Sequence, residues 1–113
     1  MKKLVYPAFS KRNFFQRMLI SKFVFDEGAV PVNPFTNFGY YLYELVDRDI
    51  VREGNNAIVE RVDEIWVFGE ISDGVLKEIK LAKKLGKPIR YFDITNLPKE
   101  IKEISEKEVK REF

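Results

Sequence analysis

The run Ile65-Trp66-Val67-Phe68, bounded by Asp63-Glu64 before it and Gly69 after it, contains no polar alternation. A strand built this way has no face to offer water, so it is stable only inside a sheet covered on both sides. Covering both sides requires helices above and below, and hence crossovers between parallel strands. The chain has 113 residues, which is room for one such domain over 1–113 and not for separate cofactor and substrate domains.

The flanking segments supply the remaining layers. Lys3-Leu4-Val5-Tyr6-Pro7-Ala8-Phe9 is a short apolar stretch, and Ser10 after it offers a side-chain oxygen suited to capping a helix. In that helix Phe14, Phe15, Met18, Leu19, Lys22 and Phe23 recur mostly at three and four residues, and Gly28 terminates it. Ala29-Val30-Pro31-Val32 reads as a second strand, placed at a sheet edge by a proline that cannot donate to a ladder. After a loop at 33–39, helical spacing returns from Tyr40 to Val51, Gly54-Asn55-Asn56 breaks it, and Ala57, Ile58, Val59 and Val62 form a short further helix. Val75, Ile79 and Ala82 make the stripe of a helix closed by Gly86-Lys87-Pro88, and Ile89-Arg90-Tyr91-Phe92 is a fourth strand. Pro98 suits the first position of a terminal charged helix with Leu97, Ile101 and Ile104 on one side. The expected fold is α/β, a small three-layer Rossmann-like or flavodoxin-like domain with a parallel sheet of about four strands in the order 2-1-3-4.

In that order the chain winds in opposite directions from strands one and three, and ligands bind in the crevice outside their carboxyl ends. Phe9-Ser10 and Gly69-Glu70 are expected to meet there. Ser72-Asp73-Gly74 opens a helix with free backbone N–H groups suited to a phosphate or sugar hydroxyl, although Ser-Asp-Gly is also ordinary turn chemistry. Glu78 follows one turn later, where it either faces the crevice or pairs with Lys77, Lys80 or Lys83-Lys84 on the surface. Lys11 and Arg12 bring cations to the opposite wall, against the helix dipole, which an anion would reward. Phe35, Phe38, Tyr40, Tyr41 and Tyr43 crowd a loop with aromatic rings, a pattern that serves a core, base stacking or a subunit interface; the interface is favoured over stacking.

Composition then removes whole classes of chemistry. There is no cysteine and no histidine, which excludes disulfides, thiolate nucleophiles, imidazole bases and the usual zinc ligands, so acid–base and nucleophilic work falls to carboxylates, Tyr or Lys. No metal and no cofactor are implied. The net charge of +2 is a mixed surface that gives nucleic-acid binding little support. The apolar run after Lys2-Lys3 is too short for a signal peptide or membrane span, and a cytoplasmic location is expected. Abundant Lys and Glu with a single glutamine, Gln16, match the composition described for hyperthermophile proteins.

The strand Asp63 to Gly69, the Ser72-Asp73-Gly74 turn with Glu78 four residues after its glycine, and Ala82 followed by Leu85-Gly86-Lys87-Pro88-Ile89 together resemble the nucleoside 2-deoxyribosyltransferase-like superfamily. That superfamily includes deoxynucleoside 5′-monophosphate N-glycosidases and many small proteins without a known activity. The resemblance spans strand one to strand four. It implies that Glu78 is a nucleophile at the sugar C1′ and that a second carboxyl group protonates the departing base, Asp73 being the nearest candidate with Glu70 behind it. Phe9, Ser10, Lys11, Arg12, Gly69, Ser72 and Gly74 are the implied substrate-binding residues. The partner is a small-molecule nucleoside or nucleotide, and a homo-oligomer in which a neighbouring subunit completes the pocket is expected. The chain departs from active members in two places: Ala8-Phe9-Ser10-Lys11-Arg12 has no glycine where they carry a glycine-rich loop, and Asn55-Asn56 stands where they carry an aspartate. The same crevice also suits a non-catalytic nucleotide-binding or sensing domain, and the aromatic loop suits a small partner-binding protein.

Overall fold

The computed structural model describes residues 1–39 and 45–113. Its elements are β1 (Leu4–Ala8), a 3-10 helix (Lys11–Gln16), α1 (Arg17–Asp26), β2 (Val30–Pro31), α2 (Pro34–Asn37), α3 (Arg48–Arg61), β3 (Glu64–Phe68), α4 (Asp73–Lys84), β4 (Ile89–Asp93), β5 (Lys102–Ile104) and a second 3-10 helix (Glu106–Glu108). The sheet order is β2-β1-β3-β4-β5. The first four strands are parallel and β5 pairs antiparallel with β4, so the expected order holds and one strand is added.

β3 lies at the centre and every one of its residues is buried. Its alternate side chains feed two separate cores. Ile65 and Val67 join Tyr6, Ala8 and Tyr91 beneath α3 and α4, through Val59, Val75, Ile79 and Ala82. Trp66 and Phe68 join Val5, Phe9 and Phe92 beneath α1, through Ile20 and Val24. On that second face Phe68 and Phe92 stack at 4.9 Å, and Phe23 meets both edge-on. At the edge, the N–H groups of Val30 and Val32 donate to Lys3 and Val5 while Pro31 between them points its ring nitrogen away, which is why proline is tolerated there.

Three expectations are corrected. The helix after Ser10 begins as a 3-10 helix with a kink at Asn13, and this shifts the phase of the residues beyond the kink. Ile20 and Val24 therefore face the core, while Phe15 and Met18, assigned to the inward stripe, stand 75% and 62% exposed. Gly54-Asn55-Asn56 does not break a helix. α3 runs through it from an Asp47 cap whose side chain accepts from Asp49 N at 2.8 Å, because burial of Val51, Val59 and Val62 outweighs a local propensity cost of about 1 kcal/mol per glycine. The part of that expected helix at 40–44 lies outside the described residues.

The third correction concerns the terminal helix. Lys102–Ile104 is a strand in register with β4, Tyr91 opposite Ile104 and Asp93 opposite Lys102. Arg90 holds Glu103 with two hydrogen bonds of 2.7 and 2.9 Å. Ile101 packs on one face of the sheet and Ile104 on the other. The free edge of β4 offered unpaired backbone groups, and satisfying them outweighed a three-residue apolar spacing that a helix would have used equally well.

The chain then crosses the carboxyl end of the sheet. Ile71 N–H donates to Lys110 and Ile71 C=O accepts from Glu112 N–H, both at 2.9 Å, forming a parallel bridge between Ile71 and Arg111. Phe35 of the aromatic loop packs against Phe9 and Phe14 and is buried in this chain's own core, so it is not available to a subunit interface. Tyr40, Tyr41 and Tyr43 lie outside the described residues. Among the described residues no helix is long and apolar enough to cross a membrane.

Two glycines give opposite expectations for the same substitution. Gly54 sits in α3 with helical dihedrals, and an added Cβ would meet the Phe38 ring at an ordinary 3.6 Å. Gly54→Ala should therefore stabilise the fold by roughly 0.5–1 kcal/mol in urea unfolding. Gly69 has φ +81° and its Cβ would come to 3.1 Å from Ile94 and 3.2 Å from Asn13. Gly69→Ala should destabilise by about 1–3 kcal/mol in the same measurement, and equal effects at the two sites would contradict this packing.

Candidate functional site

A tyrosine on a fully covered strand must find a partner for its hydroxyl. Tyr6 is completely buried in the middle of β1 and donates that hydrogen bond to Glu78 Oε2 on α4. Glu78 enters this position because α4 buries Val75, Ile79 and Ala82, and residue 78 lies beside that stripe. Ser72 fixes the phase of the helix by accepting from Val75 N at 3.2 Å. Glu78 thus turns inward to the sheet rather than outward to the neighbouring lysines.

Its surroundings set its charge. Burial pushes the Glu78 carboxyl up to about 7, and the Tyr6 hydroxyl and the through-space field of Arg52 on α3 pull against that rise without cancelling it. Arg52 is half-buried and forms no ion pair among the described residues. One turn further along α3, the Oδ1 atom of Asn55 is enclosed and has no hydrogen-bond donor among the described residues. Two facing helices therefore each place a polar side chain in or beside an otherwise apolar stripe, with a tyrosine from the sheet beneath them. A carboxyl group so held exchanges its proton near neutral pH, the property that a nucleophile or a base requires.

The other residues singled out in the sequence divide into three groups. Ser10 is buried and accepts from Arg12 N at 3.3 Å, and Phe9 is taken into the aromatic core. Arg12, Gly69 and Glu70 do come together, around a cavity of about 500 Å³ that Asn13, Asp93, Lys110 and Glu112 also line. Arg12 Nε lies 3.8 Å from Glu112 there. Neither this cavity nor the smaller depression by Lys83, Arg90 and Glu106 is lined by Glu78, so these two hollows and the perturbed carboxyl group do not coincide. The chemistry favours the carboxyl group, because Asp93 and Glu108 in the open hollow are held below the usual carboxylate range by local hydrogen bonds to Thr95 and Ser105 and so stay ordinary anions near neutral pH. Lys11 is exposed, Gly74 is half-buried in the first turn of α4, and Asp73 is exposed with Lys77 at 3.6 Å. Among the described residues no group of three or more acidic side chains could hold a metal ion.

Sequence reasoning missed Tyr6 and Arg52. Tyr6 carried a readable signal, a lone hydroxyl inside the apolar run from Val5 to Phe9; Arg52 carried none, since an arginine on a polar helix looks like any solvated charge.

The raised carboxyl pKa has a definite sign in stability. A group ionising near 4.5 unfolded and about 7 folded binds more protons in the folded state between those values. Its contribution is therefore fully present below about 4.5 and is lost as pH rises through about 7, a change on the order of 3 kcal/mol. Glu78→Gln should flatten this part of the stability profile and be the more stable protein at pH 8. Urea unfolding of both proteins at pH 5 and pH 8 checks it, and parallel profiles would refute the buried carboxyl.

A solved structure of a 2-deoxyribosyltransferase from the psychrotolerant bacterium Bacillus psychrosaccharolyticus is similar in fold, with a TM-score of 0.60 and 20% identity over 82% of this chain and 74% of that one. At that identity the likeness is one of fold. No curated protein matches the sequence. The sequence pattern of one family, described as a domain of unknown function (DUF7768), matches residues 6–92, from the tyrosine on β1 through α4 to the end of the aromatic pair on β4. The chain belongs to that DUF7768 family.

Proposed function

We propose that this protein acts on the N-glycosidic bond of a nucleoside or nucleotide, with Glu78 as the nucleophile. The observation that carries the reading is the Tyr6–Glu78 pair: a carboxylate drawn out of water, aimed by a hydroxyl and ionising near neutrality. An N-glycoside departs through an oxocarbenium-like transition state, and a carboxylate beside C1′ both stabilises that charge and captures the sugar. The likeness in fold to a 2-deoxyribosyltransferase is consistent with deoxyribosyl chemistry and supports the choice of sugar. Water or a second base would complete hydrolysis or transfer.

In this reading Ser72 and Gly74, at the start of α4, hold sugar or phosphate, and Ser10, Lys11 and Arg12 extend the site toward a 5′-phosphate. Gly69 keeps the turn between them open, and Phe9 supports it from the core. Asp73 and Glu70 are the carboxyl groups proposed to protonate the base. A partner subunit that completes the pocket, and a cytoplasmic setting, belong to the same proposal.

The test is to incubate the full chain with deoxynucleosides and their 5′-monophosphates and follow free base by chromatography. Base release is expected, rising as pH increases through about 7 where Glu78 ionises, and Glu78→Gln should abolish it by at least about 1,000-fold. Release that survives this substitution would remove Glu78 from the mechanism. Tight nucleotide binding with no release in the unaltered protein would make the site a sensor rather than an enzyme.

A further inference from the structure

The inward stripe of α3 should be apolar where it meets α4, and at Asn55 it is not. Val51, Val59 and Val62 keep the register and are buried, and Val59 and Val62 share one core with Val75, Ile79 and Ala82 of the facing helix. An amide in that stripe is costly unless its carbonyl oxygen receives a hydrogen bond, and among the described residues Asn55 Oδ1 receives none. Arg52, three residues earlier on the same side of α3, is half-buried, near enough to Glu78 to act on it through space, and in no ion pair among the described residues. Among the described residues, the seam beside Glu78 therefore holds an acceptor that no donor reaches and a cation that feels the Glu78 carboxyl only through space. A single ligand edge that carries an N–H next to a carbonyl oxygen would satisfy both.

We propose that Asn55 and Arg52 form the leaving-group subsite and select nucleobases with a lactam edge, such as hypoxanthine, guanine, uracil or thymine, over adenine and cytosine. This rests on the N-glycosidic reading above. Asn55 accepts from the ring N–H and Arg52 donates to the adjacent carbonyl oxygen. The C1′–N bond breaks with its electron pair going to the base, while a Glu78 oxygen bonds to C1′. The base leaves as an anion whose charge is drawn onto the oxygen facing Arg52, and it then takes a proton from water, leaving hydroxide. A second water attacks C1′, breaks the bond to Glu78, restores the carboxylate and releases the sugar, and its proton neutralises the hydroxide. Arg52 stabilises the charge that develops on departure, a task for which a fixed cation in a water-poor seam is well suited. The exposed Asp73 and Glu70 then need not deliver a proton to a lactam base.

Free base released from 2′-deoxyinosine 5′-monophosphate and 2′-deoxyadenosine 5′-monophosphate tests this. The unaltered protein should release hypoxanthine at least about tenfold faster than adenine, an ordinary margin for one buried polar pairing. Arg52→Met should slow hypoxanthine release by roughly 100-fold and adenine release much less, and Arg52→Lys should recover most of the loss. Asn55→Leu fills the stripe, should fold at least as stably, and should collapse the preference between the two bases. Hypoxanthine release by Arg52→Met at nearly the unaltered rate, with Glu78→Gln inactive, overturns this inference and leaves the N-glycosidic reading standing. If Arg52→Met does not fold, an unchanged base preference in Asn55→Leu overturns it instead. No release by the unaltered protein, or release indifferent to Glu78→Gln, overturns both.

Discussion

The burial of β3 on both faces is the constraint on which the rest depends. Its side chains divide between two cores that never mix, Ile65 and Val67 toward α3 and α4, Trp66 and Phe68 toward α1. Each contributes about 1.5–3 kcal/mol by leaving water, and none can do so unless a helix covers its side of the sheet. The helices are therefore not free to choose sides. Even the polar residue of the strand obeys: Glu64 is buried, accepts from Trp66 Nε1 at 3.0 Å and pairs with Lys3 at 2.6 Å, and those bonds hold its carboxyl below the usual range despite burial.

Glu64 and Glu78 make an instructive contrast, since both are carboxylates drawn toward a core. Burial raises each, but Glu64 has a lysine in contact and an indole N–H, and the balance goes down. Glu78 has a neutral hydroxyl and a cation at a distance, and the balance goes up, to about 7. The first arrangement makes a stable anchor at the start of β3. The second leaves a carboxyl group able to exchange its proton near neutral pH, which a purely structural role does not call for.

Much of this was legible in the sequence, for a physical reason. Strand order followed from an unbroken apolar run and from Pro31, which only an edge could accept, and the Ser72 cap with the Val75-Ile79-Ala82 stripe fixed α4, while the direction of Glu78, inward or toward the neighbouring lysines, was settled only by the Tyr6 hydroxyl beneath it. The failures occurred where two periodicities were compatible with the same residues. Ile101 and Ile104 suit one side of a helix and also opposite faces of a strand, and only the unpaired edge of β4 decided between them. The kink at Asn13 rotated α1 by an amount that no composition rule predicts, exposing Phe15 and Met18. The surroundings of Glu78 were half readable: the carboxylate by its spacing, Tyr6 by its odd place in an apolar strand, and Arg52 not at all, since its meaning comes from the helix opposite.

The bridge between Ile71 and Arg111 joins a residue inside the part of the chain matched by the family pattern, which ends at residue 92, to one beyond it. It ties the turn before Ser72 to a segment forty positions later by one pair of backbone hydrogen bonds, beside the 3.8 Å contact of Arg12 and Glu112, the packing of Val109 on the core and the bonds that Lys83 and Tyr91 donate to Glu106. Such a clasp has a lower opening free energy than the sheet it crosses. The helix that carries Glu78 is thus held at its base by a part of the molecule that opens more readily than the sheet, so the order around that carboxyl group depends on the margin of the domain as well as on its core.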